Sequence, residues 1–315
     1  MNQPEPQPTT LRKWIVAGRP WSFPASTMPV LFGTSLAVVI GGAPLQSFRF
    51  LLALVAMVIL HAAANMLSDV YDFRRGLDRA VTPVSGAVVR GWLAPETVKR
   101  GAIILFAFGS ALGVVIALIT GWTLLYIGLA GVAIGAGYTI LKYRALGDLA
   151  VFLNFGILGG LGSWVVQTRT FSWIPVLWTI PMAMLVIGIL HANNWRDAAT
   201  DAEQKVRTMA ALFGDRGSLL YYGFLLFGSM AIVLLVFMIG PRLIGGGLVP
   251  MPWTFAVVLL ALPKALRLWG KAVRRRTPRQ PLDFVILDGA TAQYNLLFGL
   301  LCTAAVWLQA LLARL

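Results

Sequence analysis

Nine windows of about twenty predominantly apolar residues, at roughly 21–40, 50–67, 101–118, 122–141, 149–166, 174–193, 219–239, 252–268 and 290–312, constrain this chain more than any other feature. No soluble core can hide that much apolar length, since 58% of the 315 residues are hydrophobic and only 12% are charged. Hydrocarbon holds no water to satisfy backbone N–H and C=O groups, so each window has to be a helix that crosses the bilayer. The expected fold is all-α, a polytopic membrane protein with nine transmembrane helices. Residues 1–20 are expected to form an N-terminal tail and an interfacial helix, and residues 21–315 one transmembrane domain.

The first ten residues, MNQPEPQPTT, are polar and proline-rich, without the charged start and cleavage site of a secretory signal, so they are expected to be retained. Leu11, Trp14 and Ile15 interleave with Arg12, Lys13 and Arg19 at the spacing of a helix lying on a membrane surface. Orientation follows from the basic residues, which stay on the cytoplasmic side during insertion. With the N-terminus inside, 22 of the 26 Lys and Arg fall in cytoplasmic connections, and only Arg49, Arg169, Arg242 and Arg314 fall outside. All twelve Asp and Glu also fall inside. The net charge of +14 is therefore mostly topology plus attraction to anionic membrane lipid, notably at Arg274, Arg275, Arg276 and Arg279. No soluble domain remains that could present a groove reader, so nucleic acid is not an expected partner. The single cysteine, Cys302, rules out an intramolecular disulfide and reads as packing.

Chemistry enters with the acids that close the second and sixth windows. Asn65, Asp69 and Asp72 stand at i, i+4 and i+7, both acids within ~40° of Asn65 around a helix of 3.6 residues per turn. Asp78 follows after Gly76, where the helix is expected to break and fold back. Asn193, Asn194, Asp197 and Asp201 are expected to form a matching stripe, with Arg196 at its edge, and the repeated plan points to an internal duplication. Both windows run from outside to inside, so their acidic ends are level. Carboxylates converging in an apolar protein repel unless cations neutralise them. An oxygen-only set favours Mg²⁺, which binds through one or two carboxylates plus substrate phosphates. The interleaved Arg74, Arg75, Arg196, Lys205 and Arg207 then suit the remaining phosphate oxygens, and a diphosphate clamp is the economical reading. One such cluster alone would read as helix capping; two with the same Asn-x-x-x-Asp spacing at one face argue for a site.

These residues resemble the UbiA superfamily of intramembrane prenyltransferases, and within it the branch that prenylates dihydroxynaphthoate for menaquinone. The first motif is Asn65-x-x-Ser68-Asp69-x-x-Asp72-x-x-x-Gly76-x-Asp78; the second is Asn193-Asn194-x-Arg196-Asp197-x-x-x-Asp201, followed by Lys205 and Arg207-Thr208. The opening WIVAGRPWSFPAS, Tyr138-x-x-x-Lys142-Tyr143-Arg144 and Gly147-Asp148-Leu149 are similar to that branch as well. Ser68 stands where the superfamily usually has Asn. The third acid at 78, and Tyr143 between Lys142 and Arg144, depart from the hydroxybenzoate branch.

The resemblance implies a central cavity capped on the cytoplasmic side; a bacterial plasma (inner) membrane is the expected location, and the 22-to-4 division of basic residues puts the C-terminus on the opposite face. It implies transfer of a polyprenyl group from its diphosphate to 1,4-dihydroxy-2-naphthoate. Asp69, Asp72, Asp78, Asp197 and Asp201 would hold Mg²⁺, and Lys142, Arg144, Arg196, Lys205 and Arg207 the prenyl diphosphate. The π-face of Tyr138 and the carbonyl dipole of Asn65 would meet the allylic cation. His61 and His191 have two readings, as packing residues and as bases, and packing is the commoner one for a buried imidazole. Two rivals stand beside this reading: a superfamily member with another aromatic acceptor, and, from a different class, a secondary transporter, whose polar sites lie nearer the midplane than these acids do.

Overall fold

The computed structural model describes residues 8–77, 81–204, 206–244, 249–277 and 282–315. In chain order the helices are α1 (Thr10–Gly18), α2 (Pro24–Val39), α3 (Ser47–Arg74), α4 (Pro95–Thr120), α5 (Trp122–Lys142), α6 (Gly147–Thr168), α7 (Trp173–Arg196), α8 (Ala198–Glu203), α9 (Met209–Leu243), α10 (Leu262–Val273) and α11 (Leu287–Leu312). A 3₁₀ stretch, Trp253–Ala261, leads into α10. The described residues form no named strand; one isolated parallel bridge joins Arg144 and Arg207.

Seven of these helices, α3 to α7, α9 and α11, are long and apolar enough to cross a bilayer, so the chain is an integral membrane protein. The bent pair Thr10–Ser22 and Pro24–Val39 makes an eighth if it is one span. The expectation of nine helices departs from this at its first and eighth windows. Prolines explain both. Pro20 and Pro24 break the first window, so that α2 keeps only 16 residues and turns 59° from the preceding segment. Pro263 is the second residue of α10, which begins directly after the 3₁₀ stretch and carries Lys264, Arg267 and Lys271.

Glycines set how closely the helices approach. A Cβ on Gly33 of α2 would lie 2.2 Å from the carbonyl oxygen of Gly160 on α6. On the same helix, a Cβ on Gly156 would lie 2.1 Å from Ala183 Cβ of α7, and one on Gly160 would lie 2.3 Å from Thr179 Cγ2. Gly156 and Gly160, one turn apart, thus let α6 wedge between α2 and α7 as small residues do where no hydrophobic drive separates helix from lipid. Around this wedge lies the largest core, with Phe32, Tyr222, Phe255 and Phe298 fully buried. Tyr222 satisfies its hydroxyl on Thr291 Oγ1 at 2.7 Å. Cys302 belongs to the same core.

α5 lies at the other extreme. Its one buried residue is Lys142, at its last position. The spans α6 and α9 each contain a π-helical stretch, Phe152–Leu158 and Ile232–Ile239.

Candidate active site

The C-terminal ends of α3, α5 and α7 meet the starts of α6 and α11, and this convergence brings the acids of both motifs to one end of the bundle. Asp69, fully buried, accepts from Arg19 Nη2 at 2.9 Å and from the Val88 backbone N–H at 3.1 Å. Gly86 is required over it, because a Cβ there would fall 2.3 Å from the Asp69 carboxylate. Asp72 accepts from Lys142 Nζ at 2.9 Å, Tyr143 OH at 2.9 Å and Ser68 Oγ at 3.2 Å. Burial, with Asp72 alongside, holds the Tyr143 hydroxyl above the ordinary tyrosine range, so it remains a donor.

The second motif is built around Arg196. Its guanidinium donates to both Asp197 oxygens at 2.8 Å, to Asp288 Oδ2 at 3.0 Å and to Asn193 Oδ1 at 2.6 Å. Asp201 is buried on α8, its charge within Coulombic reach of Lys142, which links the two motifs electrostatically. The loops behind them are stitched by backbone: Ala145 N–H donates to Arg207 O at 2.7 Å, and Arg207 N–H to Tyr143 O at 3.3 Å. The side chains of Arg144 and Arg207 are exposed there.

Beneath these charges lies an apolar cavity of about 370 Å³, with Asn65, Ser68, Tyr138, Lys142, Asn193 and Asp288 on its wall. On α3 its lining runs from Ala53 to Ser68, about 22 Å at 1.5 Å per residue. A charged mouth over a long apolar slot suits a molecule with an anionic head and a hydrocarbon tail.

Several sequence expectations need correction. The second stripe does not run on one helix: α7 ends at Arg196, Asp197 leaves helical geometry (φ −94°, ψ 4°) and Asp201 belongs to α8. Asn194, on α7 with Asn193 but ~100° round the helix from it, does not share its wall; it is buried, its Oδ1 without a partner. His191 is not on the cavity wall either, its Nε2 reaching Ser218 O at 3.2 Å. Arg74 pairs with Glu96, and Arg75 lies 4.2 Å over the Tyr143 ring, so neither faces the acids. Asp78 and Lys205, and Arg279 among the proposed lipid contacts, lie outside the described residues. Three participants were not singled out. Arg19 was read as part of a surface helix, Asp288 as one more cytoplasmic acid, and Tyr143 as a spacer.

Among the described residues no three His, Cys, Asp or Glu side chains form a ready-made metal cage. The donor set nonetheless fits Mg²⁺. It is oxygen only, and Asp69 and Asp72, though each is engaged through both oxygens, have lone pairs left, since a carboxylate offers about four acceptor sites.

Comparison with known proteins gives the family. A 1,4-dihydroxy-2-naphthoate octaprenyltransferase of Bacillus subtilis (strain 168) is 33% identical over 90% of this chain and 88% of its own length. UbiA prenyltransferase domain-containing protein 1 of Mus musculus is 32% identical over 91% of this chain and 81% of its own. The fold matches a UbiA homolog from Archaeoglobus fulgidus bound to GPP and Mg²⁺, with TM-score 0.58 and 15% identity over 93% of this chain and 99% of that one. Residues 26–287 match the UbiA prenyltransferase family, so the chain belongs to that family and is a UbiA-type prenyltransferase.

Proposed function

We propose that the protein transfers a polyprenyl group from an allylic diphosphate to 1,4-dihydroxy-2-naphthoate, releasing diphosphate and CO₂. The observation that carries the donor half is the pairing of four acids and their cations with an apolar slot of prenyl-like length. Asp69, Asp72, Asp197 and Asp201 would hold Mg²⁺, which when bound neutralises the leaving diphosphate as a Lewis acid. Lys142 and Arg196 sit where phosphate oxygens can share their N–H groups with the carboxylates, and the exposed Arg144 and Arg207 reach the same mouth. Tyr138 presents a ring, and Asn65 an amide, to the first carbons of the chain. The apolar walls exclude the water that would quench an allylic cation.

The acceptor half is supported by the Bacillus relative's name and by the scarcity of bases, His61 being the one imidazole on the cavity wall. An electron-rich dihydroxynaphthoate attacks an allylic cation without strong base catalysis. As the C–O bond to diphosphate breaks, a C–C bond forms at the carboxyl-bearing carbon. Loss of CO₂ then returns the electron pair to the ring, and no ring proton is removed. With carboxyl-labelled naphthoate and purified protein, the expected result is Mg²⁺-dependent release of one CO₂ and one diphosphate per prenyl group transferred. Prenylation of 4-hydroxybenzoate with its carboxylate retained, and none of the naphthoate, would refute the acceptor and leave the diphosphate site standing.

The same reading places the protein in a bacterial inner membrane with Met1 and the acid-rich mouth on the cytoplasmic side. Nine passes are supported by contacts of the two short segments. The hydrogen bonds Asn295 Nδ2 to Pro24 O and Trp307 Nε1 to Ser35 Oγ run α2 alongside α11. Thr254 bonds Ala305 O near the far end of α11, whereas Arg275 pairs with Asp215 near the start of α9. Cys302 is buried, so single added cysteines can be read against it. In sealed cells an impermeant maleimide is expected to label exposed Thr170→Cys and to leave exposed Gln204→Cys unlabelled. Equal labelling of the two would sink the topology.

A further inference from the structure

Asn65 lies one turn before Asp69 on the cavity wall, and both of its amide hydrogens are used. Nδ2 donates to Gly18 O at 3.0 Å and to Ser22 Oγ at 2.9 Å. A backbone carbonyl accepts only, so the nitrogen end of the amide is fixed towards Gly18. The oxygen end meets no donor among the hydrogen bonds of the described residues, and the cavity is what remains beside it.

Ser22 is the pivot, and its hydroxyl has a single proton. Arg19 O, 2.8 Å away, takes that proton. The Ser22 oxygen must then accept from Asn65 and also from His61 Nε2, at 3.3 Å. This sets His61 as the neutral Nε2–H tautomer and leaves Nδ1 to accept from Ser26 Oγ at 2.8 Å. The opposite tautomer gives up the 2.8 Å bond to Arg19 O and sends the Ser26 proton to Phe23 O at 3.1 Å, a poorer set. Packing holds the ring in this register, with Phe155 at 4.4 Å and Phe23 at 5.5 Å between centroids. The imidazole is 5% exposed.

We infer that His61 is a positioning residue for prenyl transfer: donating from Nε2 to Ser22, it locks Asn65 with its carbonyl oxygen towards the cavity, where the allylic carbon becomes cationic. The inference rests on the prenyl-transfer reading but not on the identity of the acceptor. His61 neither carries a proton to substrate nor touches the diphosphate. Its effect is confined to the transition state, because a carbonyl dipole gains little from a neutral tail and much from a cation.

The experiment compares His61→Gln, His61→Asn and His61→Phe in lipid, using whichever acceptor the wild type turns over, so that a wrong acceptor assignment does not confound the outcome. A glutamine amide reaches about where Nε2 lies; an asparagine amide reaches about where Nδ1 lies. His61→Gln is expected to keep at least about a third of the wild-type kcat, and His61→Asn and His61→Phe to lose about 30-fold in kcat with KM for the prenyl diphosphate within about twofold. His61→Phe combined with Asn65→Ala should be no worse than Asn65→Ala alone, as for groups acting in one chain. Equal kcat for the Gln and Asn variants, a loss appearing in KM instead, or fully additive losses with Asn65→Ala would overturn the inference. Should His61→Phe not extract as folded protein, the Gln and Asn pair decides by itself.

Discussion

Asp69→Asn and Asp197→Asn are each expected to reduce prenyl transfer at least about a hundredfold, ~2.7 kcal/mol of transition-state stabilisation, while the protein remains monodisperse in detergent. Asparagine keeps the shape of the side chain, and at position 69 its oxygen can still accept from the Val88 N–H. What is removed is the negative charge that would share Mg²⁺ with the diphosphate. Asp69→Asn carries a stability cost as well, since Arg19 is largely buried against that carboxylate, and breaking a buried pair costs on the order of 3–5 kcal/mol. Asp197→Asn is cleaner because Asp197 is 26% exposed and Arg196 keeps Asp288. Asp215→Asn supplies the control, the same charge change at an ion pair outside both motifs, and is expected to stay active. Turnover above about a tenth of wild type in either motif variant would leave under ~1.4 kcal/mol to that residue, too little for a metal ligand, and the acids would revert to caps.

Gly33→Leu is expected to prevent recovery of folded protein. Even the first carbon of a side chain there would sit 2.2 Å from the Gly160 carbonyl oxygen, a backbone atom that no rotamer change can move. Relief requires α2 and α6 to separate by more than 1 Å along their crossing, which strips contacts from Phe32 and Trp164 in the main core. Ordinary overpacking costs about 1–3 kcal/mol, and a backbone collision lies above that range. Gly137→Leu on α5 is the comparison, because nothing lies within 4 Å of where its Cβ would be. Size-exclusion profiles after extraction, with a thermal melt where protein is recovered, distinguish the two. A Gly33→Leu protein that is monodisperse and melts with the wild type would show that the crossing is looser than its geometry.

What could be read in the chain was whatever depends on nearby residues. Apolar length alone located the seven qualifying spans, because the bilayer imposes it. The i, i+4, i+7 spacing put Asn65, Asp69 and Asp72 on one face because α3 continues unbroken to Arg74. The same argument failed for Asp201, where a break at Asp197 resets the helical phase with no glycine or proline to mark it, and for Asn194, which stands ~100° round α7 from Asn193. Arg19 and Asp288 escaped notice for another reason: their partners are 50 and 92 positions away, and only the folded bundle brings them together. Arg74 and Arg75 were misjudged because sequence gives a charge but not its partner, and Glu96 and Tyr143 were nearer.

The solitary buried lysine of α5 has a mechanical consequence. Most walls of the slot are held by burial, so displacing them would cost hydrophobic free energy spread over many side chains. α5 has less of that to lose: before Lys142 none of its residues is fully buried, and Leu124, Ile127 and Tyr138 supply its packing against core side chains. Its polar attachment lies at the final turn, in the Lys142–Asp72 ion pair, the Tyr143 hydrogen bond and the backbone stitch to Arg207. At this end the helix is therefore held like a door at its latch, and the stiffness of that latch is electrostatic. An anion that competed with Asp72 for the ammonium would loosen the wall at this end, so headgroup chemistry at the mouth and the seating of the slot's wall meet at the same lysine.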